Sequence, residues 1–361
     1  MFCIKEIQIT QFKNYHSTRF DFAEKVIGIC GLNGKGKTNL LDALYYCCFT
    51  KSYFSKNDAA SIQFNKDGFR LEASAMFDNM QKTITCICRG PGKKEVLVND
   101  IEYEKMSEHI GQFPCVMVAP DDAELITGGS EERRRFIDTL LSQLNKDYLQ
   151  QLINYNKIVL QRNSLLKQFA ETKKTDTALL DVLDNQLTVP GNYIYNYRKQ
   201  FTDELIPLVN QFYSSICGNV EKINLQYESQ LSITSLGDLL QQYREKDMYL
   251  QRTGAGVHKD DIIFLLNENN FKSTASQGQR KSLLFALKLA GFEMLKKNKG
   301  FAPLLLLDDV FEKLDDTRMN YLLQMVCIEN NGQVFITDTH RERLEAVFQV
   351  LNIKHQLIEL D

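Results

Sequence analysis

The chain has 361 residues, of which 43% are hydrophobic and 25% are charged, and its formal net charge at pH 7 is -3. This length and composition are typical of one large or two medium globular domains. The nearly balanced charge excludes a protein that binds nucleic acid by bulk attraction, so any DNA contact must come from a local basic patch.

The N-terminal sequence MFCIKE lacks a basic segment followed by an apolar core, and this pattern predicts no signal peptide. Charged residues interrupt the longest apolar stretches before they reach membrane-spanning length. The nine cysteines lie mostly in apolar runs, which is typical of reduced thiols. We therefore expect a cytoplasmic protein with no membrane contact.

The first third of the chain is predicted to be rich in β-strands. Residues 26–30 (VIGIC) form an apolar run typical of a buried strand, and a glycine-rich loop and a helix over residues 39–49 follow it. Residues 71–77 and 82–88 alternate in polarity, which indicates antiparallel strands. A strand at residues 96–98 resumes after the Gly-Pro-Gly turn.

The middle of the chain changes to helical periodicity. Apolar residues recur at helical spacing over residues 131–166 and again over residues 178–216, where Pro190 and Pro207 are potential kinks. The polar stretch at residues 171–176 is interpreted as the loop between them. Two long amphipathic helices joined by a polar tip indicate a helical arm or lid.

The last third returns to an α/β pattern. A strand is predicted at residues 262–266 and a helix after residues 276–279, while the apolar runs at 304–307 and 334–336 are typical of central parallel strands. We therefore expect one discontinuous domain made of residues 1–130 and 252–361. The helical domain, residues 131–251, is expected to be inserted into it.

Residues 31–38 (GLNGKGKT) match the phosphate-binding pattern G-x-x-x-x-G-K-[ST] between a predicted strand and a predicted helix. Glycines allow backbone N–H groups to turn toward phosphate oxygens, and the helix N-terminus adds positive potential. Lys37 is predicted to reach the β- and γ-phosphates of ATP, and Thr38 to bind Mg²⁺. The predicted nucleotide contacts in this P-loop are Gly31, Leu32, Asn33, Gly34, Lys35, Gly36, Lys37, Thr38 and Asn39. The alternative is a glycine-rich turn that matches by chance.

The apolar run at residues 304–307 ends in two carboxylates, Asp308 and Asp309. Acids at the carboxyl end of a buried strand lie at the nucleotide crevice of an α/β sheet. Asp308 is predicted to bind Mg²⁺, and Asp309 to orient or deprotonate the attacking water. A solvated acidic turn is the alternative. Because the P-loop and these acids must meet, the two ends of the chain are expected to form one domain.

Residues 276–279 (SQGQ) begin a predicted helix and form a second potential anion site. Ser276 is assigned a catalytic role here, and Ser276, Gly278 and Gln279 are predicted nucleotide contacts. One nucleotide cannot use both helix starts of one chain well, so a second copy would supply the other. A plain helix cap is the alternative interpretation.

Several blocks, spread in order over nearly the whole chain, together resemble the RecF family of ABC-type ATPases. The blocks are residues 12–15 (FKNY), 34–46 (GKGKTNLLDALYY), 119–129 (APDDAELITGG), 133–138 (RRRFID), 258–261 (HKDD), 276–279 (SQGQ) and 308–315 (DDVFEKLD). The P-loop alone is unspecific. The Asn-Tyr opening, the Arg-Arg-x-Phe-x-Asp block and the His-x-Asp-Asp block are together highly specific.

The chain departs from the family pattern at a few positions. Val257 and Lys259 stand where the family usually has proline and arginine, and Tyr53 with Phe54 follows Lys51-Ser52 where an arginine is common. No contact is therefore carried over from that last loop. The switch residue after the strand at 334–337 is either Asp338 or His340.

The resemblance implies an α/β fold: an ABC-type ATPase head, in which a mixed sheet carries the P-loop core beside an antiparallel β-subdomain, with an inserted mainly helical second domain. It implies ATP and Mg²⁺ as cofactors, slow DNA-stimulated ATPase activity and an ATP-dependent homodimer. It also implies binding to double-stranded DNA at gaps and single-strand/double-strand junctions, and cooperation with RecO and RecR in loading recombinase. Two alternatives are an ABC-type head that serves another assembly without DNA binding, and a scaffold with vestigial hydrolysis.

Three consecutive arginines, Arg133 to Arg135, begin a predicted helix, where positive charge opposes the helix dipole. Some partner must offset this cost. That partner is either a set of buried carboxylates or the phosphates of DNA. Contacts to the backbone of duplex DNA are expected to be salt-sensitive.

Overall fold

The computed structural model describes residues 2–90, 92–218, 221–309 and 316–360, without the side chains of residues 316 and 317. The chain divides into two compact units. Unit 1 comprises Met1–Asp122, Ser215–Gly218 and Gln277–Asp361, and unit 2 comprises Ala123–Ser214 and Asn219–Ser276. No helix among the described residues combines the length and apolar character needed to cross a membrane.

The strands of the described chain are β1 (Phe2–Phe12), β2 (Tyr15–Asp21), β3 (Val26–Cys30), β4 (Gly68–Phe77), β5 (Met80–Arg89), β6 (Lys93–Val98), β7 (Ile101–Glu102), β8 (Cys115–Val118), β9 (Ile223–Glu228), β10 (Asp261–Leu266), β11 (Asn269–Asn270), β12 (Leu304–Leu307), β13 (Val334–Asp338) and β14 (His355–Glu359). The helices are α1 (Lys37–Phe49), α2 (Ala123–Thr127), α3 (Ser130–Leu144), α4 (Lys146–Thr172), α5 (Thr177–Cys217), α6 (Leu236–Leu250), α7 (Phe271–Thr274), α8 (Gln277–Lys299), α9 (Asp316–Leu323) and α10 (Arg341–Val350).

Unit 1 contains a five-stranded parallel sheet in the order β14-β3-β13-β12-β8. Every residue of β3, β12 and β13 is buried, as expected for strands covered on both faces. The prediction of central parallel strands is confirmed. Because β3 lies between β13 and β14, strands from opposite ends of the chain align their carboxyl ends at one edge.

Unit 1 also contains a six-stranded antiparallel sheet in the order β2-β1-β4-β5-β6-β7. Strands β4 and β5 form a hairpin in which Phe77 pairs with Met80, and the turn residues Asp78 and Asn79 both have positive φ. Two such residues fit the right-handed twist of a tight hairpin. The predicted antiparallel strands are confirmed here.

Helix α1 contacts strands of both sheets, including β4 and β5 on one side and β13 and β8 on the other. Eleven of its thirteen residues are buried, among them the run from Leu40 to Phe49. A helix that is buried all round belongs to a core rather than to a surface. The P-loop therefore leads into the centre of unit 1.

Unit 2 contains the 27-residue helix α4, the 41-residue helix α5 except for its last three residues, and the three-stranded sheet β11-β10-β9. Seven-residue spacing organises both helices. The buried positions of this spacing are Tyr148, Tyr155, Arg162 and Phe169 in α4, and Leu180, Leu187, Ile194 and Phe201 in α5. Such spacing keeps one face of each helix toward its neighbour. Pro190 and Pro207 lie inside α5, which continues through both.

Two boundaries differ from the sequence-based prediction. The helical stretch at residues 131–166 is two helices, because the Asn145 side chain accepts hydrogen bonds from the backbone N–H groups of Asp147 and Tyr148 and so caps α4. Residues 252–276, which the sequence analysis assigned to the head, are grouped with unit 2. Strand β10 pairs with β9 along its whole length and thereby holds this segment in unit 2.

Candidate nucleotide site

The P-loop follows β3 and needs glycine at its tightest point. Gly34 and Gly36 have φ of 84° and 108°, and Gly36 precedes the first residue of α1. A Cβ atom on Gly36 would lie 2.6 Å from the Asn14 side-chain nitrogen and 2.9 Å from the Tyr15 hydroxyl. Both the positive φ and this close approach exclude a larger residue.

The turn between β1 and β2 holds the P-loop from outside. The Tyr15 hydroxyl donates to the Gly36 carbonyl at 3.1 Å, and Asn14 Nδ2 donates to the Lys35 carbonyl at 3.3 Å. Asn39 Nδ2 donates to Asn14 Oδ1 at 2.7 Å, so Asn14 contacts residues on both sides of the loop's end. The sequence analysis identified residues 12–15 only as a block that resembles the family. The contacts of Asn14 and Tyr15 with the P-loop explain what these residues do.

Asp42, in α1, is a buried acid whose role the sequence analysis missed. Its carboxylate lies 2.6 Å from Lys13 Nζ and accepts hydrogen bonds from the Ser52 hydroxyl and the Tyr53 backbone N–H, each at 2.7 Å. The side chain has no solvent exposure. It therefore joins the β1–β2 turn and the segment after α1 to the P-loop helix. One signal was available in the sequence, a single carboxylate within the apolar run LLDALYY.

Lys37 lies across the P-loop that precedes it. Its ammonium group donates to the Gly31 carbonyl at 2.7 Å and to the Leu32 carbonyl at 3.3 Å, and the residue is 4% exposed. Leu32, by contrast, is 70% exposed at the tip of the loop, where Asn33, Gly34 and Lys35 are also exposed. A compact cation with rotatable donors at this position can bind phosphate oxygens.

Thr38 and Asp308 meet although 270 residues separate them. The Thr38 hydroxyl lies 2.9 and 3.0 Å from the two carboxylate oxygens of Asp308, and the Thr337 hydroxyl lies 2.9 Å from one of them. The Asp308 backbone N–H donates to the Val118 carbonyl at 2.8 Å, which extends the pairing of β12 with β8. The fold thus brings together the P-loop hydroxyl and the acidic strand end.

The Asp308 carboxyl is buried, and its pKa depends on this burial and on its hydrogen bonds. Burial raises the pKa of Asp308 to about 6, while the hydrogen bonds from Thr337 and Thr38 oppose that rise. The group is consequently ionised in most molecules at pH 7. A hydroxyl and an ionised carboxylate are oxygen ligands of the kind Mg²⁺ prefers, and the adjacent loop with Lys37 suits a triphosphate. The residues present therefore fit ATP with Mg²⁺.

Asp309 follows Asp308 in a left-handed conformation, with φ of 43°. Its backbone N–H donates to the Thr337 hydroxyl at 2.8 Å, so it is fixed against the end of β13. L-residues other than asparagine and aspartate rarely adopt this conformation. Residues 310–315 of the block that resembles the RecF family lie outside the described part of the chain.

The two alternatives for the switch residue have different surroundings. Asp338 is buried at the end of β13, where it accepts a hydrogen bond from the His340 backbone N–H at 2.8 Å and pairs with the Arg343 guanidinium. His340 is exposed at the N-cap of α10. Asp338 therefore has a structural partner, whereas the His340 imidazole faces solvent.

Helix α8 begins directly after the exposed Ser276, and a Cβ on Gly278 would lie 2.7 Å from an Arg318 nitrogen. The helix runs antiparallel to β8, because Lys299 Nζ donates to the Gly111 carbonyl and Lys288 Nζ to the Met117 carbonyl, each at 2.8 Å.

This direction separates the start of α8 from the P-loop of the same chain. Gln277 precedes Lys288 by eleven residues and so lies about 16 Å beyond the carboxyl end of β8, at 1.5 Å per residue. Strand β8 is also three strands from β3 in the sheet, a lateral offset of about 14 Å. The structure does not bring Gly278 and Gln279 to the P-loop of their own chain.

In unit 2, the three consecutive arginines have three different partners. Arg133 forms two hydrogen bonds with the Asp261 carboxylate, at 2.6 and 2.9 Å, and Arg135 pairs with glutamates one turn earlier in α3. Arg134 donates to the Asp260 carbonyl at 2.7 Å. Carboxylates therefore explain Arg133 and Arg135, but among the described residues the Arg134 guanidinium forms a hydrogen bond only to a carbonyl.

Arg198, which the sequence analysis missed, joins two of the family blocks. Its guanidinium lies 3.0 Å from Asp138 and 2.9 Å from Asp260, and the side chain is 3% exposed. The Tyr227 hydroxyl also donates to Asp260 at 2.6 Å. The Arg-Arg-x-Phe-x-Asp and His-x-Asp-Asp blocks thus meet through a buried arginine. Its only sequence signal was a charge on the apolar face of a predicted helix.

A parallel sheet with a P-loop and an acid at one edge, an antiparallel sheet beside it and a helical insertion define the head of an ABC-type ATPase. A family model described as an AAA domain matches residues 6–318. The protein named DNA replication and repair protein RecF in Flavobacterium johnsoniae is 41% identical over 357 residues, 99% of each chain. Its namesake in Parabacteroides distasonis is 40% identical over 358 residues, 99% of this chain and 97% of that one. The chain belongs to the RecF family of DNA replication and repair proteins.

Solved structures agree with this assignment. The recombination mediator protein RecF-ATPrS of the RecFOR pathway matches with a TM-score of 0.89 and 28% identity, over 100% of this chain and 96% of that one. The corresponding RecF-ATP structure matches with a TM-score of 0.87 and 30% identity, over 94% and 92% of the chains. An Smc head domain from Pyrococcus furiosus, at 13% identity and a TM-score of 0.58, shares the fold. The predicted fold class is confirmed.

Proposed function

We propose that this chain is an ATP-dependent DNA-binding protein of recombinational repair that hydrolyses ATP slowly and dimerises when ATP is bound. The observation that carries the proposal is the pairing of Thr38 with Asp308, at 2.9 and 3.0 Å, beside a P-loop that begins α1. This arrangement suits a triphosphate and a divalent cation. The structures of RecF-ATPrS and RecF-ATP support the choice of ATP.

The P-loop from Gly31 to Asn39 would hold the ATP phosphates, with Lys37 as the cation at the β- and γ-phosphates. Thr38 and Asp308 would hold Mg²⁺, which neutralises phosphate charge when it is bound. Asp309 would orient or deprotonate the attacking water. The hydrogen bond from its backbone N–H to Thr337 holds the Asp309 backbone at the end of β13.

A second copy of the chain would complete each ATP site. The start of α8 lies about 16 Å beyond the strand ends and about 14 Å to the side of β3, which is too far for one nucleotide to bridge. Ser276, Gly278 and Gln279 would instead contact the nucleotide bound by the other copy. A two-fold dimer provides two such sites at once.

We further propose double-stranded DNA, at gaps and single-strand/double-strand junctions, as the nucleic acid partner, in the cytoplasm. The repair function in the names of the relatives and the pathway named for the solved structures support this choice. The same pathway supports RecO and RecR as protein partners in loading recombinase. DNA binding is expected to accelerate ATP turnover, because it favours the dimer that holds complete sites.

The proposal is tested by measuring ATP turnover per molecule against protein concentration, with and without duplex DNA. A rate that rises with concentration and with DNA would support sites shared between two copies and coupled to DNA. A rate independent of both would contradict the dimer mechanism. A rate that rises with concentration but not with DNA would favour an ABC-type head that serves another assembly.

The variant Asp309→Asn separates a working ATPase from a scaffold with vestigial hydrolysis. An amide keeps the shape of the carboxyl group but cannot take a proton from water. In a working ATPase, this variant should stay dimeric on DNA in the presence of ATP, as measured by sizing of the DNA complex. Unchanged dimer lifetime and turnover would support the scaffold.

A further inference from the structure

Three cationic side chains of unit 2 lie around one turn, and the nearby carboxylates offset their charge only in part. The turn is residues 256–260, and the cations are Arg134, Arg252 and Lys259, which we call the cationic cluster. Arg252 and Lys259 are exposed, and Arg134 is half-buried. Within the ranges that the structure describes, none of the three forms an ion pair.

Hydrogen bonds fix the backbone around each member of the cluster. Arg134 donates to the Asp260 carbonyl at 2.7 Å, and the Lys259 backbone N–H donates to the Gly256 carbonyl at 2.8 Å. Arg252 is positioned by the next residue, Thr253, whose carbonyl lies 3.0 Å from His258 Nε2. The side chain of Arg134 and the backbone that carries Lys259 are thus held by hydrogen bonds to the turn, and Arg252 directly precedes a residue that is bonded to it.

Electrostatic effects on the pKa of Lys259 show that these charges interact. Burial lowers the pKa of Lys259, and the charges of Arg252 and Arg134 lower it further, while Asp247 acts in the opposite direction. Holding like charges this close costs free energy, which a bound anion would recover.

The nearest carboxylates are already bound elsewhere. Asp247 is fully buried and lies 2.6 Å from the Arg162 guanidinium, while the Asp260 carboxylate accepts from Arg198 and from the Tyr227 hydroxyl. Asp261 is bound by Arg133. These acids reduce the local positive charge, but each is bound by another cation, while Arg252 and Lys259 remain exposed to solvent.

We infer that the cationic cluster binds phosphodiester groups of the DNA backbone. The inference rests on the proposed DNA binding and adds a location and residues for it. Exposed lysine and arginine side chains on a fixed turn suit backbone phosphates, and guanidinium groups match phosphate geometry through paired N–H donors. Such contacts do not select sequence, and they weaken as salt concentration rises.

The test compares a cluster variant with a control of equal charge. The double variant Arg252→Gln with Lys259→Gln removes two cluster charges, and Lys157→Gln with Lys167→Gln removes two charges from exposed positions of α4 in the same unit. Affinity for a labelled duplex oligonucleotide is measured by fluorescence anisotropy over a range of salt concentrations, with ATP present. The cluster variant should lose about tenfold in affinity, with a salt slope reduced by about 1 to 2, and the control should lose less than about twofold.

Each other outcome overturns the inference in a distinct way. Equal losses in both double variants would mean that only net charge matters. If the wild-type chain binds the duplex and the cluster variant binds it equally well, the cluster contacts another ligand. ATP affinity is measured in parallel. If the cluster variant binds ATP more weakly but binds the duplex normally, that ligand is the phosphate of a free nucleotide. A wild-type chain that does not bind duplex DNA contradicts the proposed function itself.

Folding is checked independently of binding. The charge-preserving variant Arg252→Lys with Lys259→Arg should retain duplex affinity within about threefold, because backbone phosphates accept either cation. A loss as large as that of the glutamine variant, at unchanged thermal stability, would contradict phosphate binding by these charges.

Discussion

Asn14 contacts the P-loop with both ends of its amide group, although it belongs to a turn between two strands of the other sheet. Its nitrogen donates to the Lys35 carbonyl, and its oxygen accepts from Asn39. The loop is therefore held in one conformation before any phosphate reaches it. Binding to a loop that is already ordered costs less conformational entropy.

We predict that Asn14→Ala weakens ATP binding by about tenfold, because two hydrogen bonds of about 0.5–1.5 kcal/mol each are lost. Isothermal titration with a slowly hydrolysed ATP analogue measures the change. Gln8→Ala is the matched control, since Gln8 lies in β1, the strand that leads to Asn14, and its side chain bonds to Ser17 on the surface. Equal ATP affinities for the two variants would mean that Asn14 does not contribute to ATP binding.

His109 is fully buried, and burial lowers its pKa to about 4, with its Nε2 atom 2.7 Å from the Cys47 carbonyl. The unfolded chain, with a pKa near 6.5, binds the proton more tightly than the folded chain does. The contribution of neutral His109 to the free energy of unfolding is therefore complete above pH 6.5. It falls as the pH drops from 6.5 toward 4, by about 1.4 kcal/mol per pH unit.

The variant His109→Gln should show a shallower loss of unfolding free energy between pH 6.5 and pH 4, measured by urea denaturation. His258 has the same pKa shift in unit 2 and remains in both proteins, so the slope falls without vanishing. His16→Gln removes an exposed imidazole and serves as the control. If both variants keep the wild-type slope, His109 does not titrate on unfolding.

At this scale the sequence predicts residues whose role follows from local geometry. The P-loop glycines, Lys37 and the acid pair could be identified because motif and neighbouring elements occur together. Asn14 and Asp42 could not be assigned a role, because their side-chain partners lie 10 to 29 residues away and are reached only through tertiary packing.

Among the elements, α4 carries an arginine at a position where its heptad neighbours carry tyrosine and phenylalanine. Arg162 has no solvent exposure and lies 2.6 Å from both Asp184 in α5 and Asp247 in α6. One guanidinium therefore connects three helices of unit 2. Such a buried group adds specificity to the packing at a high desolvation cost.

We predict that Arg162→Met destabilises unit 2 by about 3–5 kcal/mol, because two carboxylates lose their cation in a buried site. Arg135→Met, which removes a cation paired with glutamates on the surface of α3, should cost less than about 1 kcal/mol. Unfolding followed by circular dichroism compares the two. If both variants lose a similar small amount of unfolding free energy, Asp184 and Asp247 become protonated at little cost when Arg162 is absent.

Element boundaries were less predictable than element types. Helical periodicity identified the arm, but the break at Asn145 depends on one side-chain cap that periodicity does not register. Residues 252–276 were assigned to the head because the pattern returns to α/β after the Thr-Gly-Ala-Gly stretch at residues 253–256. The pairing of β10 with β9 is a contact between separate segments, and strand propensity does not specify the partner.

For the whole molecule, the chemistry of the site predicted that the two ends of the chain meet, and β3 does lie between β13 and β14. Two of the predicted signature residues, Gly278 and Gln279, lie away from the P-loop of their own chain. That separation is a property of strand order and helix direction. No local sequence pattern specifies strand order or helix direction, so the distance could not be predicted from the sequence.

Mixing two inactive variants tests whether sites are shared between copies. Lys37→Ala removes the P-loop cation, and Ser276→Arg blocks the start of α8. A mixed dimer has one site with neither change, so an equal mixture should recover about one quarter of wild-type ATP turnover. Recovery is measured by phosphate release, with each variant alone as control. An inactive mixture, although sizing shows mixed dimers, would contradict shared sites.

The strand order of the five-stranded sheet also determines when this protein can become active during its own synthesis. Strand β3 has both neighbours, β13 and β14, at the far end of the chain, and β8 pairs with β12. A ribosome that has made β8 must add more than 200 residues before β13 exists, which takes about 10–40 s at 5–20 residues per second. Unit 2 emerges completely within that interval. The nascent N-terminal segment thus exposes unpaired strand edges until translation is nearly finished, so premature termination anywhere before β13 yields a chain without a nucleotide site.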